Sequence, residues 1–182
     1  KHKEVFAMSH FESVGTSALA GDLIQRIGDG WMLISVANRE TGIPNTMTAS
    51  WGTVGVLWNK PVLTCFIRPQ RFSYPLACRE ARMSFAFLPE QYRAALQYCG
   101  AHSGRDGDKF AAAGLTPAFT SDDAPVPSPA EASLIVVGRK LYEDDLREGN
   151  FLDPALFRNY PHKDFHRFFI CEIEQVLAKR EG

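Results

Sequence analysis

The sequence lacks any long apolar run and any excess of charge of one sign. None of its 182 residues lies in a stretch approaching the ~18 consecutive apolar residues that a membrane-spanning helix needs. Its 20 basic and 21 acidic residues give a formal net charge of -1, so no basic surface for nucleic acid or an anionic membrane is indicated. We therefore expect neither nucleic acid nor a membrane among its partners.

Cysteine is also scarce, and it is never closely paired. The four cysteines, Cys65, Cys78, Cys99 and Cys171, form no Cys-x-x-Cys pair, and at least three lie in apolar segments typical of a core. No basic and apolar leader opens the chain. These features predict free thiols in a reducing, cytoplasmic compartment.

Motifs of several enzyme classes are absent. The sequence has no Gly-x-x-x-x-Gly-Lys-Ser/Thr phosphate loop, no Gly-x-Ser-x-Gly nucleophile elbow and no Gly-x-Gly-x-x-Gly dinucleotide fingerprint. His162 and His166 stand four residues apart and precede Cys171, but the other ligands of a zinc site are missing. We therefore predict no metal site, and the sequence does not favour a hydrolase.

Short apolar runs rich in β-branched and aromatic residues are present, and they predict a mainly β protein. Helical segments do not separate these runs in the regular succession that βαβ units need, so a barrel or sandwich is favoured over a doubly wound sheet. The predicted strands are residues 31–37, 62–67, 83–88, 134–137 and 168–177.

Helices are predicted between the strands. Residues 89–99 place apolar side chains on one helical face, and Gly100 follows as a C-cap. A second helix is predicted over 73–80, with Ser73 or Tyr74 as N-cap, and a third over 108–113 before Gly114.

The proline-rich segment 116–132 resembles a linker, but only about fifty residues follow it. Those residues hold two predicted strands whose edges would stay unpaired in a separate domain. We therefore interpret 116–132 as a surface excursion within a single domain, 1–182.

Two polar segments indicate a ligand site. Asn45-Thr-Met-Thr-Ala-Ser-Trp51 combines hydroxyl side chains with little bulk, and Arg68-Pro-Gln-Arg-Phe-Ser-Tyr74 places two guanidinium groups before a predicted helix start. Together they are typical of a cradle for a phosphorylated ring. The alternatives are a Thr/Ser-rich strand start and two exposed surface arginines. A third segment, 102–110, fits either a ligand-closing turn or a polar loop between helices.

At these residues the chain resembles the flavin reductase-like, FMN-binding split-barrel family, in particular its flavoredoxin-type branch. Further matching motifs are Trp58-Asn-Lys-Pro61, Cys99-Gly-Ala-His-Ser-Gly-Arg-Asp-Gly-Asp-Lys-Phe110 and Arg139-Lys-Leu-Tyr-Glu-Asp-Asp145. The resemblance spans roughly 31–176. It implies a six-stranded Greek-key split barrel with helical excursions, a homodimer, and FMN held near the subunit interface.

The resemblance also implies which residues bind the cofactor. Those expected along the isoalloxazine and ribityl chain are Asn45, Met47, Thr48, Ala49, Ser50 and Trp51. Those expected at the phosphate end are Arg68, Arg71, Phe72, Ser73 and Tyr74, with Ser103, Gly104 and Lys109 closing the pocket. No catalytic side chain is assigned, because the flavin itself carries the chemistry.

The expected activity is an NAD(P)H-dependent flavin reductase that transfers hydride from NADH or NADPH to flavin and supplies an oxygenase or another electron acceptor. His162 or His166 is a candidate for the face against which the nicotinamide stacks. The alternative is an FMN-carrying electron-transfer protein that a partner protein reduces. A split barrel that has lost its flavin and serves as a scaffold is a third reading.

Overall fold

The protein is built mainly of strands, as its apolar runs predict. The computed structural model describes residues 6–8, 10–19, 21–120 and 124–180. The strands are β1 (Phe6–Ala7), β2 (Phe11–Val14), β3 (Met32–Ala37), β4 (Pro44–Ala49), β5 (Gly52–Leu57), β6 (Lys60–Ile67), β7 (Arg82–Phe87), β8 (Pro117–Phe119), β9 (Pro127–Pro129), β10 (Leu134–Asp145) and β11 (Arg167–Lys179). The α-helices are α1 (Leu23–Gly28), α2 (Ser73–Arg79), α3 (Arg93–Ala101) and α4 (Lys109–Ala112). A mainly β fold with helical excursions is therefore confirmed.

Eight of the described strands form one antiparallel sheet. Its order is β4-β3-β7-β10-β11-β6-β5, and β2 also pairs with β11. The long strand β11 pairs with β6 over 167–172 and with β2 over 176–179, so these two strands follow one another along its edge. The sheet has more strands than the six expected because short strands such as β2, with four residues, join it.

Both faces of the central strands are buried. In β3, Ile34 belongs to the larger core cluster and Leu33 to a second cluster, which includes Leu96 and Phe110 from α3 and α4. Successive residues of a strand point to opposite faces, so a strand covered on both sides reads as an unbroken apolar run. This burial is the physical reason why the apolar runs located the central strands correctly.

Strand β10 extends well beyond the predicted 134–137. Its second half is charged and gives no apolar signal, yet it remains paired with β11 to the end. Arg139 contributes to this pairing, because it forms ion pairs with Glu172 at 2.5 Å and with Glu174 at 2.8 Å across the two strands.

Strands β4 and β5 were not predicted. Most of the 45–51 segment, for which the sequence left open a ligand cradle or a Thr/Ser-rich strand start, is strand β4, and only Ser50 and Trp51 link it to β5. A two-residue turn then connects β5 to β6. Trp58 and Asn59 have φ angles of 52° and 57° there, the left-handed conformation that tight hairpins use.

The three predicted helices exist with shifted ends. Gly100 lies inside α3 rather than capping it, and His102 is the C-cap after a 3-10 turn and helix that span 90–101. Phe72, not Ser73 or Tyr74, precedes α2 as its N-cap. Asp108 caps α4, because its carboxylate accepts hydrogen bonds from the first backbone N–H groups.

The segment 116–132 is more buried than a surface excursion. Its strands β8 and β9 form an antiparallel pair, and β1 joins β8 in a small second sheet. Val126 and Ser128 are buried, since β9 packs against β3 and β7. Ser121, Asp122 and Asp123 lie outside the described residues, and the single domain over 1–182 stays a prediction.

The cysteines match their predicted environments. All four are free thiols, and Cys65, Cys99 and Cys171 are buried. Within the described part of the chain, no helix is long and apolar enough to cross a membrane.

Candidate functional site

A cavity of about 400 Å³ opens between the start of α2, the end of α3 and the loop before α4. Its described lining contains four basic side chains and one acidic one, so its electrostatic potential favours an anion. The lining residues are Met47, Arg68, Gln70, Arg71, Phe72, Ser73, Ala101, His102, Ser103, Gly104, Arg105, Lys109 and Asp164.

The three polar segments of the sequence meet at this cavity. Asn45 Nδ2 donates a hydrogen bond of 2.6 Å to Ser73 Oγ, and both side chains are buried. Gly104 packs so closely against Asn45 and Phe72 that a Cβ there would overlap Asn45 Oδ1 and a ring carbon of Phe72. Only glycine permits this approach without a shift of its neighbours.

Arg68 is already engaged in two polar contacts. Its Nη1 lies 2.5 Å from Asp164 Oδ2, and its Nη2 donates to the carbonyl oxygen of Asn159 at 2.8 Å. The guanidinium also lies 5.0 Å from the ring centre of Tyr160. Arg68 therefore fastens the segment between β10 and β11 to the cavity wall.

Asp164 is the acidic residue of the cavity. Its Oδ2 also accepts a hydrogen bond of 2.5 Å from Gln70 Nε2, whereas its Oδ1 is buried without a hydrogen-bond partner among the described residues. Desolvation acts to raise the pKa of Asp164, but hydrogen bonds from Gln70 and Arg68 outweigh it and the pKa is lowered. The side chain is therefore a carboxylate at neutral pH.

Two cations lie at the C-terminal end of α3. Arg71 Nη1 donates to Gly100 O at 2.8 Å, and Lys109 Nζ donates to Cys99 O at 2.7 Å and to His102 O at 3.1 Å. Cations are favourable where helix carbonyls lack intrahelical partners. Burial lowers the pKa of Lys109 from 10.5 to about 8, and the positive charge of Arg71 adds to the lowering. An ammonium group has three N–H donors, so Lys109 retains one for a ligand.

Arg105 supplies the most accessible charge of the cavity. Its side chain is exposed, and its guanidinium lies 5.7 Å from the ring centre of Phe72. Nη1 donates to the carbonyl oxygen of Gln70 at 3.3 Å, so most of its five N–H donors remain available.

Six of the predicted ligand-binding residues do not line the cavity: Asn45, Thr48, Ala49, Ser50, Trp51 and Tyr74. Thr48 Oγ1 donates to the carbonyl oxygen of Leu96 at 2.5 Å, and the Tyr74 ring faces the guanidinium of Arg167 at 5.6 Å. Ala49 is buried in the core. Their contact with a ligand stays a prediction.

The two histidines differ in their surroundings. His162 is exposed in a turn, whereas His166 is buried with Nδ1 2.9 Å from the Tyr160 hydroxyl and its ring centre 4.9 Å from that of Trp51. Burial lowers the pKa of His166 to about 4, so the imidazole is neutral at pH 7. No group of three or more potential metal-ligating side chains occurs among the described residues.

Residues 24–182 match the model of the flavin reductase like domain. The chain belongs to this family. The comparison with curated proteins gives no match.

Solved structures share the fold of this family member at low sequence identity. The FMN-binding domain of a flavin reductases-like enzyme from Shewanella baltica OS155 aligns with a TM-score of 0.66 and 16% identity, covering 93% of this chain and 77% of that one. Flavoredoxin of Desulfovibrio vulgaris (Miyazaki F) aligns with a TM-score of 0.63 and 20% identity, covering 81% of this chain and 68% of that one. Nitrilotriacetate monooxygenase component B from Bacillus cereus aligns with a TM-score of 0.64 and 17% identity, covering 88% of this chain and 73% of that one. The split-barrel fold is thus confirmed.

The cavity of this flavin reductase-like chain contains five residues that were not predicted as ligands. Gln70 lies within the second polar segment, and Ala101, His102 and Arg105 lie within or beside the third, so their positions in the matching motifs were a usable signal. Asp164 lay in no recognised motif. Its contacts with Arg68 and Gln70, which lie 96 and 94 residues earlier, bring it to the cavity.

Proposed function

We propose that this protein binds FMN and that the cavity takes the phosphate and ribityl half of the cofactor. The observation that supports this most is the concentration of Arg71, Arg105 and Lys109 around Ser73 at one cavity. Phosphate oxygens accept charge-assisted hydrogen bonds from such donors. The family of this chain supports the proposal. So does its similarity in fold to the Shewanella structure, which is named as an FMN-binding domain.

The residues present fit this group. Gly104 lets the backbone approach closely, Met47 and Phe72 add apolar surface, and Ser103 offers a hydroxyl at the rim. We place the isoalloxazine towards Ser50 and the half-exposed Trp51, beyond the polar cavity. When bound, FMN supplies a ring that accepts a hydride or electrons, and the chain holds and orients it.

We further propose that the protein is an NAD(P)H-dependent flavin reductase whose reduced product serves an oxygenase or another electron acceptor. Its family and its similarity to a monooxygenase component from Bacillus cereus support this proposal. His166 is neutral and lies behind Trp51, so it would position that ring rather than exchange a proton with substrate. His162 lies in an exposed turn outside the described lining of the cavity.

Anaerobic stopped-flow mixing tests the reductase activity. The FMN-loaded protein is mixed with NADH and, separately, with NADPH, and flavin absorbance is recorded. We expect bleaching with at least one nucleotide. Retention of the oxidised spectrum with both would exclude the reductase and favour an electron-transfer protein that a partner reduces.

An exposed apolar patch lies on β5, on the turn that follows it and on the neighbouring part of β10. Val56 is 78% exposed and Trp58 54%, and Tyr142 lies next to Trp58 with ring centres 6.4 Å apart. Exposed apolar patches of this kind mark protein interfaces. We propose that a second copy of the chain packs here, giving a homodimer in the cytoplasm, and that light scattering on Val56→Asp will report a smaller mass than wild type.

A further inference from the structure

Arg68 directs its polar contacts to one segment of the chain. Nη1 donates to Asp164 Oδ2 at 2.5 Å and Nη2 donates to Asn159 O at 2.8 Å. The guanidinium also lies 5.0 Å from the ring centre of Tyr160. This set of contacts needs two separate N–H donors on one planar cation, which arginine has and lysine lacks. We call residues 159–166, which end just before β11, the strap.

Arg68 is neutralised by an ion pair, unlike the other cations of the cavity. The Asp164 carboxylate lies 2.5 Å from its guanidinium, and a carboxylate there repels a phosphate. Among the described residues, no ion pair involves Arg71, Arg105 or Lys109. A phosphate is therefore attracted to these three cations rather than to Arg68.

The strap leads from Arg68 to Trp51 through contacts between side chains. The Tyr160 hydroxyl lies 2.9 Å from His166 Nδ1, and these two residues are only 6% and 7% exposed. The His166 ring centre lies 4.9 Å from that of Trp51, whose side chain is partly open to solvent. Because closely packed side chains transmit strain, a displacement of Tyr160 displaces His166 and then the indole.

We propose that Arg68 is a positioning residue: it holds the strap so that Tyr160 and His166 fix the orientation of Trp51, and it does not bind the phosphate. The placement of the flavin ring beside Trp51 rests on the proposed function. The contacts from Arg68 to Trp51 are made by the chain itself, so they can be tested without flavin. A cation that lines the phosphate cavity thus serves the ring end of the cofactor.

The indole N–H resonances of the isotope-labelled, flavin-free protein test these contacts directly. The chain has three tryptophans, so Trp51→Phe identifies the Trp51 resonance. We expect Arg68→Ala and Tyr160→Phe each to shift this resonance, because both break the contacts behind the indole. Arg71→Ala is the matched control, since Arg71 also lines the cavity but contacts α3 instead of the strap. It should leave the Trp51 resonance in place.

Titrations with FMN and riboflavin then separate positioning from phosphate binding. Arg68→Ala alone leaves the Asp164 carboxylate unpaired, which would itself repel a phosphate. The double variant Arg68→Ala/Asp164→Ala keeps the net charge of the cavity and is therefore used. We expect its ratio of FMN affinity to riboflavin affinity to stay within about twofold of wild type, whereas Arg71→Ala should lower this ratio about tenfold or more.

Three results would overturn the proposal. They are a Trp51 resonance that does not move in Arg68→Ala, one that moves equally in Arg71→Ala, and a double variant whose affinity ratio falls as far as that of Arg71→Ala. The Trp31 resonance reports whether the fold is intact, because Trp31 packs against the second core cluster.

Two further cases remain decisive. Where Arg68→Ala does not fold, Arg68→Lys is used: it retains the charge but not the two donors in one plane, so the Trp51 resonance must still shift. If wild type binds no flavin, the proposed function fails, and the Trp51 resonance still decides whether Arg68 positions the indole.

Discussion

Asn45 Nδ2 donates a 2.6 Å hydrogen bond to Ser73 Oγ, which joins the start of β4 to the first turn of α2. Both side chains are buried, so replacing either leaves a polar partner unsatisfied. We expect Asn45→Ala and Ser73→Ala each to lower the free energy of unfolding by about 1–3 kcal/mol. The double variant should cost less than the sum in urea unfolding, and strict additivity would show that the bond is not formed.

Arg71 and Arg105 should contribute to phosphate binding. We expect Arg71→Ala and Arg105→Ala each to weaken FMN by ~1.5–3 kcal/mol and riboflavin far less, because a charge-assisted contact is lost only for the phosphorylated ligand. Calorimetric titration of both ligands measures the difference. Arg147→Ala is the control, since that exposed arginine pairs with Asp144 outside the cavity lining. A similar loss of FMN affinity in Arg147→Ala, or equal losses for FMN and riboflavin, would show that these arginines do not bind the phosphate.

Lys109 should make FMN binding depend on pH. With a pKa of about 8, its ammonium is mostly charged at pH 7 and mostly neutral at pH 9. The preference for FMN over riboflavin should therefore fall across this range. Asp164, whose pKa is lowered, stays ionised across this range and contributes no slope. Lys109→Arg should bind FMN with a preference that does not change between pH 7 and 9, and a slope equal to that of wild type would assign the titration elsewhere.

Lys109 should also make the stability of the protein depend on pH, and here the effect rises with pH whereas the preference for FMN falls. Because the folded-state pKa of Lys109 lies near 8 and its ordinary value is 10.5, the unfolded chain binds more protons between these values. The contribution of Lys109 to the free energy of unfolding should therefore rise as pH increases through this window. The free energy of unfolding in urea should be measured for wild type and Lys109→Met at pH 8 and at pH 10. The value for wild type minus the value for the variant should be larger at pH 10 than at pH 8.

Gly104 should be required for the cavity wall. In Gly104→Ala the new Cβ meets Asn45 and Phe72, so either these residues move or the 102–108 loop shifts. We expect lower thermal stability and FMN affinity reduced at least tenfold, measured by calorimetry and flavin fluorescence. Gly149→Ala is the matched control, because nothing lies within 4 Å of a Cβ there. Unchanged FMN binding in Gly104→Ala would contradict the close packing.

The sequence predicted those strands whose burial is apolar. It missed β4, whose burial depends on hydrogen bonds, and β5, which is mostly exposed. In β4, Thr46 Oγ1 accepts from Ser35 Oγ at 2.9 Å and Thr48 Oγ1 donates to Leu96 O. These pairs let hydroxyl side chains lie inside the protein. They have no apolar periodicity, so the sequence left open whether the segment is a ligand cradle or a Thr/Ser-rich strand start.

The residues that line the cavity could be predicted where they lie close together in the sequence. Arg71, Ser73 and Lys109 belong to short motifs, and the structure brings these motifs together. Asp164 is different, because its place depends on the path of a long connection between β10 and β11. Nothing in the spacing of residues shows that such a connection returns to Arg68.

The visible spectrum after loading tests the central claim most directly. The purified protein is incubated with FMN, separated from free flavin by gel filtration and compared with Arg71→Ala treated in the same way. We predict that wild type elutes yellow, with the absorption bands of bound flavin, and that the variant retains less. A colourless wild-type protein that cannot be loaded would contradict FMN binding and leave a split barrel that serves as a scaffold.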